Sequence, residues 1–275
     1  MGVGWAARGY VEHVLPRKGV QHEAPMELSR PGFSVYLTIG FPGPAAFREA
    51  LEALSPCVDF YELGLPTRRP KYDGPTVRES HRAAVAGGVV GAAALKLLEE
   101  EPPPKPFTLM AYLEDYAGDM RGLLEAAASV GAGCVLFPDL AFDYPGMLDA
   151  YVEESERAGL RPCFFASSRF PHGWLQRYAA LRPLYIYLGL QPATGVELPI
   201  AVARNVRTAR MLVGDRYLLT GFAVRRPETA ASLVEAGADA VVVGSAVLRR
   251  LREDGLEAAR GLACSIHSAV HAVRG

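Results

Sequence analysis

Short runs of β-branched and aromatic residues alternate with longer amphipathic segments along nearly the whole chain. The runs SVYLTI (34–39), FYELGL (60–65), FTLMAY (107–112), CVLFPD (134–139), RPCFFA (161–166), LYIYLGL (184–190), YLLTGFA (217–223) and AVVVGSAV (240–247) read as eight strands. Each is followed by a stretch with helical periodicity: AAFREALEAL (45–54), VRESHRAAVA, MRGLLEAAASVG, MLDAYVEESERAG, WLQRYAALR, VARNVRTARMLV, ETAASLVEAG and the tail from Leu248. Eight β-then-α units of this regularity close more naturally into a (β/α)8 TIM barrel than into an open sheet, so the expected class is α/β. A single barrel domain is expected over residues 32–275, with residues 1–31 as an N-terminal extension that fits no later pattern and in which Met26 is an alternative start.

Length and composition agree with one large core: 275 residues, half of them apolar. The 29 basic and 30 acidic residues leave no net field for nucleic acid or an anionic membrane, which points to a small-molecule partner. No apolar run is long enough to span a bilayer, and Arg8 and Glu12 interrupt what would be a signal peptide, so a cytoplasmic location is expected. Cys57, Cys134, Cys163 and Cys264 show no CxxC spacing and are expected as buried reduced thiols. Asparagine occurs only at Asn205 and glutamine only at Gln21, Gln176 and Gln191; this scarcity of heat-labile amides suits a thermophile or a biased genome.

The segment YELGLPTRRPKYDGPT (61–76) carries the candidate chemistry. Glu62 sits inside an apolar strand and Asp73 in the Gly/Pro loop beyond it; a desolvated carboxyl is harder to ionise than one that keeps its water, so the pair can divide acid and base duties. The alternative for Glu62 is an outward-facing surface pair. In a barrel both acids fall at the C-terminal mouth, where the βα loops gather. At the same mouth, TGFA and VVGSA end in small residues before helices, a pattern that exposes backbone N–H groups to an anion, although it also serves plain packing. The four lysines, Lys18, Lys71, Lys96 and Lys105, lie outside every expected strand, which disfavours a Schiff-base aldolase. No metal site is expected: His267 and His271 are an i, i+4 pair without a third ligand nearby.

Over residues 33–250 the chain resembles the α subunit of tryptophan synthase, and specifically its divergent archaeal branch. The likeness rests on Glu62-Leu-Gly-Leu-Pro66 through Asp73-Gly-Pro75, with YLTIGFP (36–42), FPDL (137–140), Thr194-Gly195, TGF (220–222) and GADAVVVGSA (237–246) in order. AYLEDY, LFPDLAFDY and QPATGVELP carry the archaeal character. The resemblance implies retro-aldol cleavage of indole-3-glycerol phosphate to indole and glyceraldehyde 3-phosphate, with no cofactor in this chain and pyridoxal phosphate (PLP) in a β-subunit partner. Glu62 is then the mobile acid/base, and Asp73 accepts the indole N–H and holds the developing positive charge. Substrate contacts carry over to Tyr36, Val77, Leu109, Tyr112, Leu136, Tyr187, Thr194 and Phe222, and phosphate contacts to Gly195, Ala223, Gly244 and Ser245. Asp139 matches an aspartate near the mouth on the partner-facing side.

Several positions depart from the family pattern. Ala223 stands where glycine is usual, Arg69 where aspartate is frequent, and Ala141 where a proline follows the Pro-Asp pair; the sixth loop, after Gly195, is about four residues shorter than in bacterial relatives and lacks their arginine. Two other readings therefore stay open: a different phosphate-binding barrel lyase or isomerase, or a mainly regulatory subunit that activates a PLP-dependent β partner.

Overall fold

The computed structural model describes residues 26–167, 171–190, 199–221 and 224–273. Strand β1 (Gly32–Thr38) leads through helix α1 (Pro44–Leu54) to β2 (Phe60–Gly64). Helices α2 (Pro75–Ala86) and α3 (Ala92–Glu100) precede β3 (Phe107–Met110); α4 (Leu113–Tyr116) and α5 (Met120–Ser129) precede β4 (Val135–Leu136). The second half runs through α6 (Leu140–Asp143), α7 (Leu148–Arg157), β5 (Phe164–Ser167), α8 (His172–Ala180), β6 (Ile186–Gly189), α9 (Pro199–Val213) and β7 (Leu218–Gly221). It closes with α10 (Pro227–Glu235), β8 (Ala240–Val243), α11 (Ser245–Glu253) and α12 (Leu256–Ala272). Local chemistry marks several starts: α1, α2 and α10 each place proline in their first turn, where its missing N–H costs nothing, and the Asp119 carboxylate accepts the Gly122 N–H at 3.1 Å to open α5.

All strand pairs are parallel, in the order β4-β3-β2-β1-β8-β7-β6-β5, and every strand residue is buried. This is the eight-stranded α/β barrel, nearly closed, that the alternation of runs predicts. Between β4 and β5 no ladder is formed among the described residues. Tyr151 of α7 bridges the seam instead: its hydroxyl donates to the Val135 carbonyl at 2.7 Å, lies 3.1 Å from the Cys163 carbonyl and accepts the Cys163 N–H at 3.0 Å. A disulfide between Cys134 and Cys163 joins the same two segments.

Three expectations change. Strand β4 covers two residues instead of six, because Pro138 has no N–H for a ladder and Asp139 turns to another task. Strand β8 ends at Val243, since the apolar run Ala246-Val247 already belongs to α11. The cysteines are not reduced: Cys57 pairs with Cys264 and Cys134 with Cys163, partners 207 and 29 residues apart that no local spacing could reveal. Intracellular proteins of hyperthermophiles form such bridges, in contrast to most cytosolic chains.

At the N-terminal end of the barrel, residues from Met26 onward already lie against it. Met26 and Leu28 pack on the core, Tyr217 donates to the Ser29 carbonyl at 2.7 Å, and Arg30 pairs with Asp239 at 3.5 Å. Among the described residues no helix is long and apolar enough to cross a membrane.

Candidate active site

Side chains alternate across a strand, and residues paired in parallel register share a face. Tyr36, Glu62 and Thr108 are paired across β1, β2 and β3, and this row faces the inside of the barrel. Above it opens a cleft of about 600 Å³, counted together with the solvent space at its mouth. Glu62 and Tyr36 form its floor, Asp73, Gly74 and Val77 one wall, and Met110, Tyr187, Val224, Val242, Gly244 and Ser245 the rest.

Two glycines make the space for the tyrosines. A Cβ on Gly64 would overlap the Tyr36 hydroxyl, and one on Gly221 the Tyr187 hydroxyl. The glycines of the ELG and TGF sequences are therefore demanded by the rings beside them.

Glu62 is 1% exposed, and its Oε1 has no hydrogen-bond partner. Burial first, and the nearby charge of Asp73 second, push its carboxyl up to about 8, while a hydrogen bond with Tyr185 acts the other way. Asp73 is drier than a loop position suggests, with a side chain 11% exposed. Burial lifts its carboxyl to about 6, against the pull of the Tyr112 hydroxyl, which donates to Oδ2 at 2.8 Å, and of the Arg78 charge. The order expected from sequence survives although both groups are desolvated: near neutral pH Glu62 holds a proton and Asp73 is ionised.

A buried polar network that none of the sequence motifs announces lies beneath Asp73. His81 of α2 accepts the Thr67 N–H on Nδ1 at 3.2 Å, and burial lowers its pKa to about 4, so the ring is neutral with its proton on Nε2. That N–H faces the Tyr36 hydroxyl at 3.1 Å and Asp73 Oδ2 at 3.6 Å. From Tyr36 the chain continues to Thr38 Oγ1 (3.2 Å), Ser80 Oγ (2.6 Å) and the Val77 carbonyl (2.7 Å), each hydroxyl accepting once and donating once. The available signal was Ser80 and His81 lying with Ala84 on the buried stripe of an otherwise polar helix.

The loop after β2 is held from the other side too. The Tyr112 hydroxyl that binds Asp73 accepts the Tyr72 N–H at 3.0 Å, and Tyr72 donates to Asp143 at 2.9 Å. Lys71 bridges Glu114 (2.8 Å) and Asp143 (2.6 Å), and Arg69 pairs with the second oxygen of Glu114 at 2.8 Å. Asp139 is completely buried and accepts the N–H groups of Leu113 and Glu114 at 2.8 and 3.0 Å. It thus fixes the start of α4, and through it Tyr112, and presents nothing to a partner.

Of the remaining expected residues, Tyr36, Val77, Tyr187, Gly244 and Ser245 line the cleft, and Tyr112 reaches it through Asp73. Leu109 does not: Met110 faces the mouth, so its neighbour one residue earlier faces the helices. Leu136 shares the face of Met110 but is fully buried and outside the cleft wall. Thr194, Gly195, Phe222 and Ala223 lie outside the described residues. Gly244 caps α11, whose first N–H groups open onto the cleft at Ser245, an arrangement that favours an anion.

A family model described as tryptophan synthase alpha chain matches residues 23–271. The tryptophan synthase alpha chain of Sulfurisphaera tokodaii is 28% identical over 232 residues, covering 84% of this chain and 94% of that one. The corresponding chain of Thermococcus kodakarensis is 35% identical over 221 residues, 78% and 86% of the two. Among solved structures, a mutant tryptophan synthase alpha-subunit from the hyperthermophile Pyrococcus furiosus matches with a TM-score of 0.79 at 27% identity, covering 89% of this chain and 100% of that one. With the family's model spanning nearly the whole described barrel and its motif acids meeting in one cleft, the chain belongs to the tryptophan synthase alpha chain family.

Proposed function

We propose that Glu62 and Asp73 carry out the family's reaction in this chain, cleavage of indole-3-glycerol phosphate to indole and glyceraldehyde 3-phosphate. The observation that carries this assignment is the pair itself: a protonated, buried carboxyl with an unpartnered oxygen facing the same cleft as an ionised one.

Protonated Glu62 delivers its proton to C3 of the indole ring. The positive charge that develops on the ring nitrogen is held by the Asp73 carboxylate, which accepts the indole N–H. Glu62, now ionised, takes the proton of the side-chain hydroxyl next to C3; the carbonyl forms, the carbon–carbon bond breaks, and its electrons return to the ring as indole leaves. One proton enters at C3 and one leaves the hydroxyl, so Glu62 ends as it began. Tyr187, Met110 and Val77 give the flat ring an apolar slot, and the α11 N-terminus takes the phosphate.

In this family pyridoxal phosphate sits in the β subunit, and the chain is assigned no cofactor of its own for the cleavage because Glu62 accounts for both proton transfers and Asp73 for the developing charge. The partner is that β subunit, and the location assigned to this chain is the cytoplasm.

The test is indole release from indole-3-glycerol phosphate by the isolated chain and by the chain mixed with its β subunit. Release by the parent, reduced on the order of 10² to 10⁴ in Glu62→Gln, is the expected result. A parent that releases no indole in either setting removes the assignment, and a Glu62→Gln variant with parental turnover moves the chemistry to another group.

A further inference from the structure

We propose that Asp59, His267 and His271 form a binding site for a divalent transition metal, with zinc the favoured ion, at the end of the barrel opposite the mouth. The two histidines are one turn apart on α12, with ring centroids 4.3 Å apart. The third ligand, which the sequence left unidentified, comes from the residue just before β2. His271 Nε2 lies 3.0 Å from Asp59 Oδ2 and His267 Nε2 lies 3.9 Å from Asp59 Oδ1. One ligand atom from each of the three lies within 4.8 Å of the others.

Zinc bonds of about 2.0–2.2 Å in a tetrahedron set ligand atoms roughly 3.3–3.5 Å apart. The His271–Asp59 and His267–Asp59 spacings fall on either side of that value, and all three groups offer a ligand atom within 4.8 Å of the others. Two imidazoles and one carboxylate are a donor set for zinc, cobalt or nickel; calcium and magnesium take oxygen ligands.

Two further features prepare the site. The Phe33 N–H donates to Asp59 Oδ2 at 2.7 Å and fixes the plane of the carboxylate, the role that outer hydrogen bonds play around metal ligands. The Cys57–Cys264 disulfide lies two residues before Asp59 and three before His267, so both ligand-bearing segments are tied together before any ion arrives. With side chains 21%, 28% and 35% exposed for Asp59, His267 and His271, an ion enters from solvent and a fourth position stays open to water. The site joins α12 to the entrance of β2 and shares no residue with the cleft.

The test uses the full-length, tag-free chain with its disulfides intact. Zn²⁺ is titrated by calorimetry and Co²⁺ by its visible d–d absorption, for the parent, Asp59→Asn and the double variant His267→Gln/His271→Gln. The expected result is one ion per chain, a tetrahedral Co²⁺ spectrum, and at least about tenfold weaker binding in each variant, with zinc raising the parent's Tm and not the double variant's. Indole release, unchanged in the variants, shows that they are folded. Absence of binding at millimolar Zn²⁺ overturns the proposal and leaves an ordinary His271–Asp59 hydrogen bond. Parental affinity in the double variant overturns it as well, because the ion then sits on other groups.

Discussion

Glu62 shows how a single acid in a barrel strand trades stability for chemistry. Its carboxyl is near 8 in the fold and near 4.5 in the unfolded chain, so between those values the native state keeps a proton that the unfolded state has released. Stability from this group is therefore full below about pH 4.5 and is lost as pH rises towards 8, at up to about 1.4 kcal/mol per pH unit. Glu62→Gln removes that slope. Its stability relative to the parent is expected to rise from pH 5 to pH 8, measured by urea unfolding, and a constant difference would contradict the raised carboxyl. Activity should respond in a second way: kcat/KM needs Glu62 protonated and Asp73 ionised, so it should form a bell with limbs near pH 6 and pH 8. The two acids were legible in sequence because one broke an apolar run and the other followed it at a motif spacing. The dryness of Asp73 was not, since Tyr112 and His81, which bury it, come from residues 39 and 8 positions away in the chain on separate elements.

At the level of strands and helices, hydrophobic runs announced all eight strands but not their ends. Pro138 shortens β4, and the Gly244-Ser245 start of α11 cuts β8, because turn and capping chemistry overrides an apolar run that continues past it. The exchange of Leu109 for Met110 in the cleft has another origin: Leu109 is carried over from the family resemblance, and on a strand a slip of one residue reverses the face. Tyr151 is the residue through which the seam between β4 and β5 can be tested. Its hydroxyl serves both sides of a seam that has no ladder, so Tyr151→Phe leaves the buried Val135 carbonyl and Cys163 N–H without that partner. A loss of about 1–3 kcal/mol in chemical denaturation is expected, with little change in turnover; a loss below about 0.5 kcal/mol would mean that other contacts hold the seam.

For the whole molecule, the two disulfides act at different lengths. Cys57–Cys264 closes most of the chain, 207 residues, and in the chain-entropy description such a bridge contributes about 5 kcal/mol; the 29-residue bridge contributes about 3–4 kcal/mol. Reduction under native conditions should lower Tm by on the order of 15 °C, and Cys57→Ser should reproduce the larger part; an unshifted Tm on complete reduction would deny both bridges a stabilising role. The same pairs have a topological meaning. Strands β1 to β4 and β5 to β8 are two contiguous half-barrels, and each half owns one cysteine of each bridge: Cys57 and Cys134 in the first, Cys163 and Cys264 in the second. Both joints of the cylinder are thus riveted, one beside β1 and one between β4 and β5. A protease nick in the Pro145–Met147 turn would separate the polypeptide into two lengths without releasing either, and only a thiol reductant would let the halves part on a gel.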